Sequence, residues 1–407
     1  MTETIDPKIR SSQIPPELVV ADFNFFAIPV PDGDPALAWK TATETLPPIF
    51  WTEKNGGHWI ATRGEDIEII QQDHDRFSMR YMKLPKGRFG MRTPPLEFDP
   101  PEHFGYRAVI SPGFSPKAVA SLEPKIRGAI RNVIDGLEPR GECEFVADVS
   151  HVIPITVFLD MMGLDQQDAE MLLSLSQLNI LATELEVGQR TRRDMADYLW
   201  HSVLDRRAHP KDDLLTLVVN GKVNGRPLTN EEIRAMSTNL LAAGLHTVAS
   251  MMGNVMRFLA MSQAHRRQLI EDPNLIARAI DELIRRYGIA NTARVITRDL
   301  EFRGVPLREG DMIQIPNCLY GLDEAKVQEP LTVDFKRPLP IPSAAFGNGP
   351  HRCPGAGLGR LEIRVLLEEW LPRIPDFEIK PGTTPKAVVG TSNTMQELWL
   401  SWIPRGS

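Results

Sequence analysis

The chain has 407 residues, with 46 Lys+Arg against 53 Asp+Glu and a formal net charge of −7. Hydrophobic residues make up 42% and charged residues 24%, which excludes a disordered or low-complexity chain. A net negative chain without a basic block argues against nucleic acid as the main partner. Its three cysteines, Cys143, Cys318 and Cys353, form no disulfide framework and point to a reducing, cytoplasmic setting.

Residues Met1 to Ala21 show no basic stretch followed by an apolar run, so no signal peptide is expected. Ile49–Thr52 and His58–Thr62 flank Asn55-Gly56-Gly57 and predict a hairpin over 49–62, with glycine supplying the positive φ. Pro94-Pro95 and Pro100-Pro101 mark turns. Helical periodicity dominates from 101 to 290. Its clearest element begins at Thr229-Asn230-Glu231-Glu232, a capping box with Thr229 as N-cap. Apolar or small residues follow at Ile233, Met236, Leu240, Gly244, Val248, Met251, Val255 and Leu259, one stripe of a helix about 30 residues and roughly 45 Å long. The apolar stretch Leu240–Ala260 is broken by His246, Asn254 and Arg257, so it reads as a buried helix rather than a membrane span. Strands and turns occupy 293–407: a hairpin Leu300–Phe302/Val305–Leu307 across Arg303-Gly304, a strand over Met312–Ile315, and short strands at Phe377–Ile379 and Leu398–Leu400. The fold class is mainly α with small β-sheets.

The most informative segment is Phe346-Gly347-Asn348-Gly349-Pro350-His351-Arg352-Cys353-Pro354-Gly355. Its glycines permit unusual backbone angles and close approach of a flat group. Cys353 precedes a helix start, with His351 and Arg352 beside it, which favours a thiolate. Cys143 and Cys318 lack such a frame and read as inert buried thiols. Three chemistries use such a thiolate. Zinc needs paired ligands that this sequence lacks. A thiol hydrolase needs a Cys–His pair, and a haem iron needs one axial thiolate in an apolar pocket with cations for the propionates.

The pattern Phe-x-x-Gly-x-His-x-Cys-x-Gly resembles the cysteine loop of the cytochrome P450 superfamily. Further stretches resemble that family in the expected order. Glu282-x-x-Arg285 looks like its buried helical pair, which Arg337 joins from the following meander. His103-x-x-x-Arg107, Arg294 and His351 look like its propionate ligands, and Ala243-Gly244-Leu245-His246-Thr247 like its oxygen-activating helix kink. Asn55–Gly64, Val223–Pro227 and Arg373–Phe377 resemble the bacterial camphor-hydroxylase family in particular. The resemblance implies one domain spanning 1–407, because motifs from Arg107 to Cys353 must converge on one haem b.

It also implies a haem-thiolate monooxygenase that uses O2 and two electrons. Cys353 is then the axial iron ligand, with Phe346 and Gly355 framing the loop. Thr247 and Gly244 serve oxygen activation, Thr247 back-bonding to the Ala243 carbonyl. The family carries an acid where this chain has His246, which is expected either to relay protons or to point away. That departure keeps a second reading open: a peroxygenase or rearrangement enzyme needing no external electrons. Outside enzymes of this class stand a haem sensor and the thiol hydrolase. The resemblance implies a small terpenoid or norisoprenoid (ionone-like) substrate, contacted by Met91, Asn239, Ala243, Ala290 and Thr391. No Tyr lies between Arg88 and Phe98 to recognise camphor itself. Electrons are expected from a [2Fe–2S] ferredoxin and its reductase, docked at Arg63 and Arg352.

Overall fold

A computed structural model describes residues 6–87, 90–182 and 184–404. The N-terminal reading therefore rests partly on residues outside the described ones. The long helix spans Asn230–Met261. Its capping box forms as the sequence requires: Glu232 N donates to Thr229 Oγ1 at 3.2 Å, and Thr229 N donates to Glu232 Oε2 at 2.7 Å. These bonds satisfy two of the amides that a helix start leaves unpaired.

Four helices wrap the long one or brace it: Glu123–Leu137, Val152–Met162, Leu185–Ala208 and Ala356–Arg373. Glu123–Leu137 shows why. Ile126, Ile130 and Ile134 recur every fourth residue and are fully buried, while its charged residues face outward. Each such side chain contributes about 1.5–3 kcal/mol by leaving water. At the end of Ala356–Arg373, Trp370 meets Phe145, Phe377 and Trp402 edge-on, with ring centroids 5.5, 5.9 and 5.7 Å away. That cluster fixes the helix that follows the cysteine loop.

The sheet part has its own core. A five-stranded sheet runs in the order Ile49–Thr52, His58–Ala61, Met312–Pro316, Asn291–Ile296, Phe77–Ser78. The first hairpin pairs Ile49 with Ala61 and Thr52 with His58, and Gly56 and Gly57 turn it at φ 89° and 76°. Met312–Pro316 then joins His58–Ala61 in parallel and Asn291–Ile296 antiparallel, with Ile313 opposite Arg294. This register places Arg294 on an interior strand. The second hairpin, Leu300–Phe302 with Val305–Leu307, also forms. Two short insertions interrupt the helical body. They are the Glu142–Glu144 strand and the Lys222–Val223/Arg226–Pro227 ribbon, which turns at Asn224 and Gly225 with φ 52° and 80°. Among the described residues no helix is long and apolar enough to cross a membrane.

Candidate active site

A cavity of about 290 Å3 lies between the long helix and the cysteine loop. Ala243, Gly244, Thr247 and Val248 form its roof, and Phe346, Cys353, Gly355 and Leu358 form its floor. His103, Arg107, Arg294 and His351 stand at one edge, and Asn239 and Ala290 line another part. The structure thus brings together every residue that the sequence assigned to the cofactor.

The loop is shaped by close contacts. Gly347 and Gly349 have φ of 73° and 72°. A Cβ on Gly349 would lie 3.2 Å from the Gln71 carbonyl oxygen, so the loop needs glycine there. Cys353 N donates to Phe346 O at 2.8 Å and closes the loop. Asn348 Nδ2 donates to Gln71 Oε1, and Gln71 Nε2 to Asn317 Oδ1, both at 2.9 Å. These two bonds tie the loop to the helix Gly64–Gln72 and to the strand end. Pairing did not reveal Gln71 and Asn317 from the sequence, because they lie 246 positions apart.

Behind the loop, Glu282 is buried and accepts from Arg285 at 2.7 and 2.8 Å and from Arg337 Nε at 3.0 and 3.1 Å. Arg285 also donates to the carbonyls of Gly321, Pro330 and Thr332 at 2.6, 2.7 and 3.0 Å. The cluster stitches the helix Ile276–Arg286 to the meander leading into the cysteine loop.

The cavity edge is rich in donors. Among the described residues His103 Nδ1 and His351 Nε2 have no hydrogen-bond partner, although both are buried. The two rings lie 4.2 Å apart. Burial, then the neighbouring Arg107, lowers His103 to about 4. Burial, then His103, Arg294 and Arg107, lowers His351 to about 2. Arg294 is buried and donates to Ala293 O at 2.9 Å and Thr292 Oγ1 at 3.4 Å. No carboxylate among the described residues hydrogen-bonds it, and burial pulls it down to about 10. Arg107 Nη2 donates to Arg352 O at 2.7 Å, linking this edge to the loop. Buried donors without anions call for anions. A flat apolar slot over a cysteine, with such donors at its rim, fits a haem and its two propionates.

Cys353 is exposed on the cavity floor. Desolvation raises its thiol, and the Gly355 amide and the arginines Arg107, Arg360 and Arg352 lower it, as the glycine frame and adjacent cations led one to expect. Metal coordination is what holds such a sulfur deprotonated. Cys143 and Cys318 are buried and also raised by burial, Cys318 to about 12.

Expectations change for Gly244, Met91 and Thr391, and of the two readings of His246 the structure favours the one that points it away. His246 does not line the cavity. It is buried behind the long helix, with Nε2 3.1 Å from Thr394 Oγ1 and its ring 6.3 Å from that of His151. Burial, then His151, lowers it to about 3, so it is a neutral packing group. Gly244 does border the cavity, but its missing side chain serves packing. A Cβ there would lie 2.2 Å from Phe158 Cδ2 on Val152–Met162. Met91 is exposed, 42%, on a loop outside the cavity; Met79, Met82 and Leu96 occupy that wall instead. Thr391 is buried outside the cavity, its carbonyl accepting from Lys83 Nζ at 2.7 Å. Thr247 Oγ1, by contrast, donates to Ala243 O at 3.0 Å and faces the cavity.

A further cavity residue that escaped the sequence reading is a carboxyl. Glu362 lies on the helix after Cys353, is 2% exposed, and its Oε2 has no partner among the described residues. Burial raises it to about 8, so it carries a proton at neutral pH. The signal was present, since Glu362 falls among Leu358, Leu361 and Val365 on a buried helix.

Sequence and structure comparisons converge with this geometry. The cytochrome P450 family model matches residues 189–397. The chain is 34% identical over 416 aligned positions to a probable cytochrome P450 127A1 of Sinorhizobium fredii, covering 99% of this chain and 100% of that one. The crystal structure of cytochrome P450 CYP101C1 superposes with a TM-score of 0.88 at 37% identity, covering 96% of this chain and 98% of that one. The CYP101J2 crystal structure gives 0.88 at 32% identity over the same shares. The chain belongs to the cytochrome P450 family and is a P450 monooxygenase with haem b on an axial cysteine thiolate. Within that family it resembles the camphor-hydroxylase group.

Proposed function

We propose that the enzyme hydroxylates a small apolar terpenoid or norisoprenoid, using electrons from a small acidic [2Fe–2S] ferredoxin and its reductase. The observation that carries the substrate reading is the apolar part of the cavity wall. Met79, Met82, Leu96, Leu240 and Met251 make it apolar and adaptable. The bound haem supplies oxygen activation and delivery of one oxygen atom to a C–H bond.

The protein residues take the remaining roles. Cys353 Sγ binds the iron. His103, Arg107, Arg294 and His351 hold the propionates, and Phe346 and Gly355 shape the loop beneath. Thr247 presents its hydroxyl to the cavity and holds a proton-bearing water there. Glu362, protonated at neutral pH, is the carboxyl available to resupply it. Because His246 is turned away, it does not replace the family's acid, and the electron-independent reading is separated from this one by the turnover test below. The apolar wall also orients the substrate and keeps bulk water out.

Support for the donor comes from a depression on the outer face of the cysteine loop. It is lined by Arg107, Arg352, Arg360 and Arg364, with Glu123 as its acid. Arg352 is exposed there, and Arg63 is exposed at the N-cap of Gly64–Gln72, outside the depression. Acidic ferredoxin should dock at such a surface with salt-dependent kinetics.

A ligand screen read as a spin-state change tests the substrate class. Ionone-like ketones should shift the spin state. A tight and complete shift with camphor alone would contradict the reading. Turnover with ferredoxin, reductase and NADH, slowed by salt, supports the donor; turnover only with peroxide overturns it.

A further inference from the structure

Asn239 lies on the face of the long helix that also carries Ala243, Thr247 and Met251, each four residues from the next. This spacing puts all four in one row along the cavity. The row is apolar or small except for Asn239 and Thr247. Thr247 is occupied by its bond to Ala243 O. The Asn239 side chain is half-buried, lines the cavity, and makes no side-chain hydrogen bond among the described residues. Other amides of the cavity wall differ, since Gln71, Asn317 and Asn348 bond one another.

An amide turned into an apolar wall loses water when a ligand fills the cavity, and recovers that loss only if the ligand brings a partner. Asn239 also lies four residues before Ala243, which roofs the cavity, about 6 Å along the helix axis. A ligand lying beneath Ala243 and Thr247 meets Asn239 with the part that points away from the reacting carbon. We propose that Asn239 is the specificity-determining residue, its Nδ2 donating to a carbonyl oxygen of a terpenoid ketone. The inference rests on the terpenoid reading above and deepens it.

The test uses ferric holoenzyme and calorimetric dissociation constants, with spin state as a second readout. The probes are β-ionone and the hydrocarbon of the same skeleton lacking the carbonyl oxygen. In the Asn239→Leu variant β-ionone should bind about tenfold more weakly, and the hydrocarbon should bind as well or better. Asn239→Gln, which keeps the amide, should retain part of the ketone preference. Equal changes for both probes in Asn239→Leu overturn the proposal, because shape alone would then explain them. Parent enzyme that binds both probes with no loss of ketone preference in Asn239→Leu overturns this inference and leaves the terpenoid reading standing. Parent enzyme that binds neither probe overturns both.

Discussion

The Glu282 cluster gives the sharpest test of what holds the cysteine loop in place. Its carboxylate is fully buried and accepts from two guanidiniums and from Asp334 N at 3.0 Å. Glu282→Ala removes the only carboxylate among the described residues bonded to Arg285, which is itself 1% exposed and otherwise held by three carbonyls. Removing one partner of a buried pair costs about 3–5 kcal/mol, because the other charge stays buried without compensation. With a urea m-value of about 3 kcal/mol per M, the unfolding midpoint should fall by about 1 M or more. Glu324→Ala is the matched control. Its carboxylate pairs with Lys40 at 2.6 Å but is 69% exposed, and its loss should stay within about 1 kcal/mol. Urea titration of the holoenzyme, followed by circular dichroism and by haem absorbance, measures both variants. A Glu282→Ala midpoint indistinguishable from that of Glu324→Ala would refute the reasoning.

Three further outcomes follow from the same structure. Gly244→Ala should lose about 1–3 kcal/mol of stability from overpacking against Phe158, and the same substitution should cost less in a Phe158→Ala chain, measured by thermal unfolding. His246→Gln should leave the ratio of product to electrons consumed unchanged, because His246 lies outside the cavity; a drop in that ratio restores the relay idea. His58 and His246 are lowered by burial to about 4 and about 3. Each binds a proton more readily when unfolded. Their contribution to stability is therefore present above the unfolded value near 6.5 and is lost as pH falls towards 4, by up to about 1.4 kcal/mol per pH unit each. The unfolding free energy of His246→Leu between pH 6 and pH 5 should accordingly be flatter with pH than that of the parent.

Local chemistry was legible where it is written in adjacent residues. The Thr229 capping box, the turns at Asn55-Gly56-Gly57 and Arg303-Gly304, and the glycine frame around Cys353 all depend on a few neighbouring side chains. The cofactor residues were legible because their order along the chain matched a known pattern. What failed depended on packing between distant segments. Gly244 is set by Phe158 on another helix. His246 and Thr247 are neighbours, yet the helix turns one inward and the other towards Thr394. Met91 was placed by counting, but the loop around it leaves that side chain outside. Glu362 carried a sequence signal, a carboxylate among buried helix positions, and only the cavity gave it meaning.

The central claim is that Cys353 holds the haem iron as a thiolate. The reduced, carbon monoxide-bound absorption spectrum of purified holoenzyme tests it most directly, taken beside that of Cys353→His. The parent should show the strongly red-shifted Soret band of thiolate-ligated haem, and the variant should lose it while still binding haem through imidazole. A red-shifted band that survives in Cys353→His, or a parent spectrum of imidazole type, would contradict the account.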